Sequence, residues 1–233
     1  MSRKLQESKK LIVSLKPNSP IAEQFRSIRT SIEFASVNTE MKVLVVTSSE
    51  QNSGKSLISS NLALTFAQKG LKTLLIDADL RNPSVKNYFY LPKGRGLSSL
   101  IKRKNSLEDV IYQTEEKNLF VLPPGFVVPN PADMLGSENM EELISVLRQS
   151  FDQIIIDTPP ILVATDAVVV SSFSDGIIIV VRSGKTNKQS AKKALRSMNQ
   201  SSTPIIGTIL NDVKMSKHDY YYASKSNRRE WTR

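Results

Sequence analysis

The sequence predicts an α/β fold: a doubly wound, mostly parallel sheet flanked by helices, followed by a flexible C-terminal tail. Two observations support this prediction. Apolar runs alternate with stretches of helical periodicity, and the runs are rich in Ile and Val without alternating polar residues. Strands of that kind are covered on both faces, and an alternating series of strands and helices forms a parallel sheet. The periodicity stops beyond Asp212, so residues 213–233 are assigned to the tail.

Length and composition describe an ordinary globular chain. Its 233 residues, 39% of them hydrophobic, are most simply one domain with a substantial core. No apolar run approaches the ~18 residues that cross a bilayer. The apolar patch near the N-terminus is too short for a signal peptide. The chain contains no cysteine, which excludes disulfides and thiolate metal sites. We therefore expect a cytoplasmic protein.

The net charge of +10 is concentrated at the two ends. Residues 1–16 contain five basic side chains and one acidic one, within a predicted flexible basic N-terminus over 1–19. Residues 213–233 contain six basic and two acidic side chains. Such charge suits nucleic acid, anionic lipid, an acidic partner or solubility alone. No nucleic-acid-binding motif is visible, so no nucleic acid is expected, and basic ends suit a chain held near anionic lipid by another anchor.

A helix is predicted from Pro20 to residue 36. Its apolar residues fall on one face at helical spacing: Ile21, Phe25, Ile28 and Ile32. Charged residues step round the other side at intervals of three: Glu23, Arg26 and Arg29. These charges could form a solvated polar face or a specific interface, because arginine and glutamate pair with forked geometry. Spacing alone does not choose between the two.

The remaining elements follow from the apolar runs. Six strands are predicted, at Val43–Val46, Thr73–Ile76, Leu119–Leu122, Ile154–Ile156, Ile177–Val181 and Ile205–Leu210. Crossover helices are predicted at 56–69, 137–150 and 187–199. Together with the first helix they make a domain spanning 20–212.

A phosphate-binding loop is predicted between the first of these strands and the helix that follows. The loop closes on Gly54-Lys55-Ser56, and a strand, loop and helix in this order bind a nucleotide triphosphate through backbone amides and the helix dipole. Lys55 would reach the β- and γ-phosphates, and Ser56 would ligate Mg²⁺. The usual pattern has glycine where this chain has Ser49. The alternative is a polar loop that contains Gly-Lys-Ser by chance.

Two later strands end in carboxylates. Asp77 and Asp79 close the second strand, and Asp157 closes the fourth. Ligands of an open parallel sheet bind beyond the carboxyl ends of its strands, where these side chains emerge. Each aspartate could instead cap a turn. Together with Lys55 they supply the parts of phosphoryl transfer: charge neutralisation through Mg²⁺, phosphate binding and a carboxylate that orients the acceptor.

The tail contains three consecutive tyrosines, Tyr220, Tyr221 and Tyr222. A polar segment without core positions rarely needs aromatic side chains for packing. The tyrosines could form an adhesive interaction patch or accept phosphate, and nearby Lys and Arg side chains would pair with the added charge.

With these motifs assembled, the chain resembles the bacterial tyrosine kinases that regulate capsule and exopolysaccharide synthesis. It is most similar to the Firmicute type, whose kinase is a separate chain from its membrane activator. The resemblance covers nearly the whole length and rests on five motifs in order: the Glu23-x-x-Arg26-x-x-Arg29 helix, the Gly54-Lys55-Ser56 loop, LLIDADLR with Asp77 and Asp79, IIIDTPP with Asp157, and the tyrosine cluster.

The resemblance implies ATP and Mg²⁺ as cofactors. It implies phosphate binding by the backbone of residues 52–57 and by Lys55, that is by Asn52, Ser53, Gly54, Lys55, Ser56 and Leu57. It implies that Ser56 and Asp79 ligate Mg²⁺ directly and Asp157 through water. Asp77 is implied as the base that positions the tyrosine hydroxyl, and Asn211 as the adenine contact.

The resemblance also implies an assembly. The 20–36 helix would build a ring-shaped homo-oligomer, an octamer in the family, in which one subunit's tail enters its neighbour's site. A transmembrane activator would recruit the cytoplasmic kinase to the inner face of the membrane. Other proteins phosphorylated on tyrosine would be further partners.

Departures from the family pattern keep alternatives open. The phosphate loop has Gln51-Asn52 where relatives usually have Pro-Gly, and asparagine tolerates the positive φ that this turn needs. A partition or division-site ATPase of the same superfamily would carry a signature lysine where this chain has Glu50. A nucleotide-binding regulator without catalytic activity is the third possibility.

Overall fold

Seven strands form a single sheet in the order β3-β4-β2-β5-β1-β6-β7. The structure is a computed structural model and describes residues 11–35, 40–92 and 94–214. The strands are β1 Val43–Ser48, β2 Thr73–Asp77, β3 Tyr112–Gln113, β4 Leu119–Leu122, β5 Gln153–Asp157, β6 Gly176–Arg182 and β7 Ile205–Asn211. The helices are α1 Ile12–Leu15, α2 Pro20–Ala35, α3 Lys55–Gln68, α4 Leu97–Ile101, α5 Pro131–Leu135, α6 Glu138–Ser150, α7 Asp166–Ser171 and α8 Lys188–Met198, with a 3₁₀ turn at Val85–Asn87.

The predicted mostly parallel sheet is confirmed. Six strands pair in parallel, and only the edge strand β3 runs antiparallel, beside β4. Every residue of β1, β2 and β5 is buried, as expected of central strands covered on both faces. The sequence did not predict β3, because two residues show no periodicity.

Helices cover both faces of the sheet, which confirms the doubly wound architecture. On one face α1, α2 and α3 pack together through a core that includes Phe25, Leu62 and Phe66. On the other face α4 and α6 pack over Val45 and Ile156. The parallel register brings Val46 level with Asp157, and Asp77 level with Asp157. The carboxyl ends of β1, β2 and β5 therefore meet at one edge.

The predicted flexible N-terminus differs from the structure over residues 11–19. This segment contains α1, in which Val13 is fully buried and donates its amide to Asn61 Oδ1 at 3.1 Å. Leu11 is also buried. Three apolar residues in this short stretch suffice to pack it against α3. Residues 1–10 and the whole tyrosine cluster at 220–222 lie outside the described residues.

Helix α2 buries a slightly different face from the predicted one. Ala22, Phe25 and Ile32 are buried, whereas Ile21 remains 42% exposed. A small residue at position 22 lets the helix lie close to α3, which turns Ile21 toward the edge of the contact. Across the described ranges, no helix combines the length and apolar character needed to span a bilayer.

Candidate active site

The loop between β1 and α3 has the backbone conformation of a phosphate-binding loop. Asn52 adopts φ 59° and Gly54 φ 87°, both in the left-handed region, and α3 begins at Lys55 directly afterwards. Successive amides in such a turn point into one concavity, at the positive end of the helix dipole. The turn therefore survives the replacement of Pro-Gly by Gln51-Asn52.

Glycine is required at position 54 by space as well as by conformation. A Cβ there would lie 2.2 Å from Asn211 Nδ2, which donates to Ser53 O at 3.0 Å. Asn211 ends β7, and its side chain thus supports the phosphate loop from the far edge of the sheet. The predicted adenine contact is placed beside the loop, where its amide already has a protein partner.

Lys55, Asp79 and Asp157 converge at the edge where β1, β2 and β5 end. Lys55 Nζ lies 2.9 Å from Asp79 Oδ2 and 3.6 Å from Asp157 Oδ2. All three side chains are almost completely buried, with at most 11% of the Lys55 side chain exposed. Charges are taken out of water here only because they pair with one another.

Three serine hydroxyls complete this cluster. Ser56 Oγ donates to Asp157 Oδ2 at 2.5 Å, and Ser59 Oγ lies 3.0 Å from Asp157 Oδ1. Ser84 Oγ lies 2.6 Å from Ser56 Oγ. Sequence reasoning missed Ser59 and Ser84. The i, i+3 spacing of Ser56 and Ser59 along α3 was an available signal, whereas Ser84 lies in an irregular loop with none.

Asp77 and Asp79 do not face the same space. Asp79 lines the cavity above the loop, whereas Asp77 is fully buried behind it. The oxygens of Asp77 accept amide hydrogens from Asp79 and Val85, each at 3.2 Å. β2 ends at Asp77, so the chain is no longer extended between the two carboxylates, and they do not project from the same side.

The buried carboxylates have perturbed acidity. Burial, followed by the nearby charge of Asp157, raises the pKa of Asp77 well above its ordinary value. Burial also raises the pKa of Asp157, and Lys55 with the hydroxyls of Ser56 and Ser59 offsets only part of that effect. Burial opposes the charge of Lys55, but Asp157 and Asp79 outweigh it and raise the pKa of the ammonium. Clusters of this kind are typical of functional sites.

A cavity of about 320 Å³ opens over these groups. Most of the predicted loop residues line it: Asn52, Gly54, Lys55, Ser56 and Leu57. Arg81 and Tyr88 also line it and were not predicted as site residues. Burial and the charge of Asp157 raise the pKa of the Tyr88 hydroxyl.

Arg81 anchors the loop that follows β2. Its Nε and Nη2 donate to both oxygens of Asp166, at 3.1 and 3.0 Å, and the Asp166 side chain is fully buried. Asn82, the next residue, donates its amide to Asp79 Oδ1 at 2.9 Å. The bidentate pair therefore helps to hold Asp79 in place. Arg81 could have been noticed beside Asp79, but nothing in the sequence connects it to Asp166.

The donor set fits Mg²⁺ bound together with a nucleotide. Ser56, Asp79 and Asp157 offer the hard oxygen ligands that Mg²⁺ prefers, beside a loop shaped for phosphates. Within the described ranges, no group of three or more His, Cys, Asp or Glu side chains could hold a metal alone. Mg²⁺ commonly uses one or two carboxylates and completes its shell with substrate phosphates and water.

The three predicted interface residues, which lie on α2, do not share one environment. Glu23 and Arg26 form an exposed pair at 2.7 Å. Arg29 instead turns inward and donates to Thr65 O at 2.8 Å, near the last turn of α3. That carbonyl is roughly 15 Å along the helix from Lys55. Arg29 therefore joins α2 to α3 within one chain.

The fold and this site define a P-loop nucleotidase. A family profile described as "ParA: NUBPL iron-transfer P-loop NTPase" matches residues 39–226. Cysteine is the usual ligand of iron–sulfur clusters, and this sequence contains none.

Curated relatives narrow the class. The chain is 43% identical over 219 residues to Tyrosine-protein kinase YwqD of Bacillus subtilis, covering 93% of this chain and 92% of that protein. It is 39% identical to Putative tyrosine-protein kinase CapB of Staphylococcus aureus, covering 95% and 97%. These matches show that the chain belongs to the bacterial tyrosine kinases of the capsular and exopolysaccharide type, and that its enzymatic activity is protein-tyrosine phosphorylation.

Solved structures agree. The chimerical protein CapA2B2 matches with a TM-score of 0.86 and 38% identity, covering 90% of this chain and 92% of that one. The kinase domain of the Escherichia coli tyrosine kinase ETK matches at 0.82 and 30%, covering 92% and 87%. The division protein MinD of Pyrococcus horikoshii, at 0.64 and 24%, shares the fold alone. The comparisons therefore support the division-site ATPase interpretation less well than the tyrosine-kinase interpretation.

Proposed function

We propose that this chain transfers the γ-phosphoryl group of ATP to Tyr220, Tyr221 and Tyr222 in the tail of a neighbouring copy, within a ring-shaped homo-oligomer. The observation that carries this proposal is the convergence of Lys55, Asp79 and Asp157 over one phosphate loop. The tail tyrosines are the acceptors that the chain itself offers. Phosphorylation there would regulate capsule or exopolysaccharide synthesis, the process that the family serves.

Each site residue has a part in this proposal. Lys55 and the amides of residues 52–57 would hold the phosphates, and the Asn211 side chain packs directly against Gly54. Ser56 and Asp79 would hold Mg²⁺ directly, and Asp157 would hold it through water. The metal supplies charge neutralisation at the transferred group. In the structure Lys55 Nζ donates to Asp79 Oδ2 at 2.9 Å, so the lysine has to exchange this partner for the phosphates when the nucleotide binds.

The base that orients the acceptor hydroxyl is assigned to Asp77. Burial raises the pKa of Asp77, so this carboxylate accepts a proton more readily than an ordinary one. Both of its oxygens accept backbone hydrogen bonds here, so the assignment requires the turn from Asp79 to Val85 to shift and free one oxygen. Replacement of Asp77 by asparagine should then lower kcat more than nucleotide affinity.

The assembly part of the proposal rests on α2. Glu23 is 66% and Arg26 31% exposed, so this pair remains accessible to a neighbouring subunit, as an octameric ring requires. A transmembrane activator would bring the cytoplasmic kinase to the inner face of the membrane and allow it to phosphorylate other proteins on tyrosine.

A mixing experiment tests transfer between copies. One chain carries Lys55→Met and an intact tail; the other is active and carries Tyr220→Phe, Tyr221→Phe and Tyr222→Phe. With ATP and Mg²⁺, and with or without an activator's cytoplasmic segment, we expect phosphate on the tail of the Lys55→Met chain only in the mixture. Mass spectrometry locates it.

Other outcomes are equally informative. Phosphate on a wild-type tail that never appears on the Lys55→Met partner would show transfer within one chain. Phosphotyrosine confined to residues outside 220–222 would refute the assigned acceptors. Absence of phosphotyrosine under all conditions, with ATP bound, would leave a nucleotide-binding regulator.

A further inference from the structure

The outer face of α8 carries an uninterrupted positive charge. From Asp175 to Asp212 the sequence contains six basic residues and no acidic one between the two aspartates. Arg182 pairs with Asp212 at 2.9 Å and is thereby neutralised. The remaining five are grouped on α8 and the turn before it: Lys185, Lys188, Lys192, Lys193 and Arg196. We call these five residues the basic face.

The basic face is exposed and, in the part of the chain that the structure describes, has no ion-pair partner. All five side chains belong to exposed residues. Among the residues that the structure describes, none of the five has an acidic partner, and the ion pairs of the molecule lie elsewhere. The buried side of α8 is anchored by Ala194 and Met198 against β6 and the neighbouring α7. The cations are therefore held on a rigid element about 16 Å long, at the edge of the sheet.

The chemistry of this face favours a lipid surface over a nucleic acid. Four of the five cations are lysines, which act as point charges rather than as the planar forks that read phosphate and guanine. No aromatic residue occurs between Ser174 and Lys214, so bases would find nothing to stack on. Leu195 lies among the cations and is 44% exposed. An apolar side chain at that position suits insertion between lipid headgroups.

We infer that the basic face of α8 docks on an anionic lipid bilayer. Clusters of four to eight lysines and arginines on an amphipathic helix bind anionic headgroups in this way. This contact belongs to the kinase chain and is additional to recruitment by an activator. The basic residues of the tail, which follow β7 along the chain, would add to the same attraction.

The test uses the purified full-length chain and vesicles of phosphatidylcholine with or without phosphatidylglycerol, in a sedimentation assay. Each cation near the surface contributes about fivefold to membrane affinity, so Lys188→Gln, Lys192→Gln and Lys193→Gln together should weaken partitioning about 100-fold. The matched control is Lys102→Gln, Lys104→Gln and Lys117→Gln, three exposed lysines away from α8. It should lose little. Leu195→Gln should weaken binding severalfold and leave its salt dependence unchanged.

Three results would overturn the inference. The first is no binding of the wild-type chain to phosphatidylglycerol vesicles at low salt. The second is an equal loss in both triple variants, which would show that only net charge matters. In a parallel titration with duplex DNA, the third is loss of DNA binding by the α8 variant while vesicle binding persists. Circular dichroism of each variant establishes that it is folded.

Discussion

Two charged motifs of this kinase use similar residues in opposite ways. Around Lys55 the charged groups are buried, paired with one another and fixed by serine hydroxyls. On α2 the pair of Glu23 and Arg26 is exposed, and Arg26 also donates to the backbone carbonyl of Pro17 at 3.0 Å. In the buried cluster three carboxylates surround one ammonium group, so the carboxylates repel one another. Burial of charge is unfavourable for folding and is retained where chemistry needs it.

Arg29 lies between these extremes. It belongs to the α2 motif in sequence, but its side chain is only 16% exposed and bonds to Thr65 O. One motif thus contains two exposed charges and one structural one. Spacing places three residues on one helix face, but only packing decides which of them remain available to a partner.

The largest expected effect is the loss of activity on substitution in the buried cluster, where activity and stability should respond differently. Lys55→Met and Asp157→Asn should each reduce phosphorylation at least about 100-fold, since each removes a charge that acts on the transferred group. Their effects on unfolding should differ in sign. Lys55→Met leaves three carboxylates unpaired and costs up to about 3 kcal/mol. Asp157→Asn relieves repulsion and keeps partners for Ser56 and Ser59, so its Tm should not fall.

The pH dependence of stability checks the same point. A carboxylate whose folded pKa is raised binds protons more tightly in the folded state, so its contribution is present at low pH and is lost as pH rises through that raised pKa. Burial raises the pKa of both Asp77 and Asp157. The free energy of unfolding of the wild type should therefore decline as pH rises from the ordinary aspartate pKa of 3.8 to the raised one. The decline should be shallower in Asp157→Asn. Urea unfolding at a series of pH values measures this decline. If the free energy of unfolding fell equally steeply with pH in both proteins, the proposed repulsion among the buried carboxylates would be contradicted.

The next effect concerns the backbone of the phosphate loop. Gly54→Ala combines a left-handed φ of 87° with a contact of 2.2 Å to Asn211 Nδ2. Gly70→Ala has φ 101° but meets nothing within 4 Å. Both pay about 1–2 kcal/mol for conformation, whereas only Gly54→Ala displaces Asn211 and the loop. ADP affinity should fall at least about tenfold in the first and stay unchanged in the second. Equal affinities by calorimetry would refute the steric argument.

The two arginines of α2 should differ in how much each contributes to the free energy of unfolding. Arg29→Ala removes a part-buried hydrogen bond to Thr65 O and should cost about 1–2 kcal/mol. Arg26→Ala removes an exposed pair and should cost less than about 1 kcal/mol. Arg26→Glu should then yield a folded monomer in light scattering if the ring is built as proposed. An unchanged oligomer would remove Arg26 from the interface.

The sequence predicted the elements with a periodic apolar pattern and the site residues that directly follow them along the chain. Buried strands were recognisable as Ile- and Val-rich runs, and Lys55, Ser56, Asp79 and Asp157 as residues at the ends of such runs. Contacts between distant segments had no such signal. Asp166 lies 85 residues from Arg81, and Asn211 lies 158 residues from the carbonyl of Ser53 that it supports. The orientation of Asp77 depended on how the chain turned after β2, which periodicity does not report.

The smallest effect is expected at Asn52, the departure from the family's phosphate loop. Asn52 already adopts φ 59°, so Asn52→Gly changes no backbone angle. Glycine would relieve the left-handed strain of asparagine but lose more conformational entropy on folding, and the two terms are of similar size. ADP affinity should therefore stay within about twofold of wild type. A larger gain in ADP affinity in a calorimetric titration would show that asparagine leaves the loop distorted. The buried cluster around Lys55 would then be less well preorganised than its hydrogen bonds indicate.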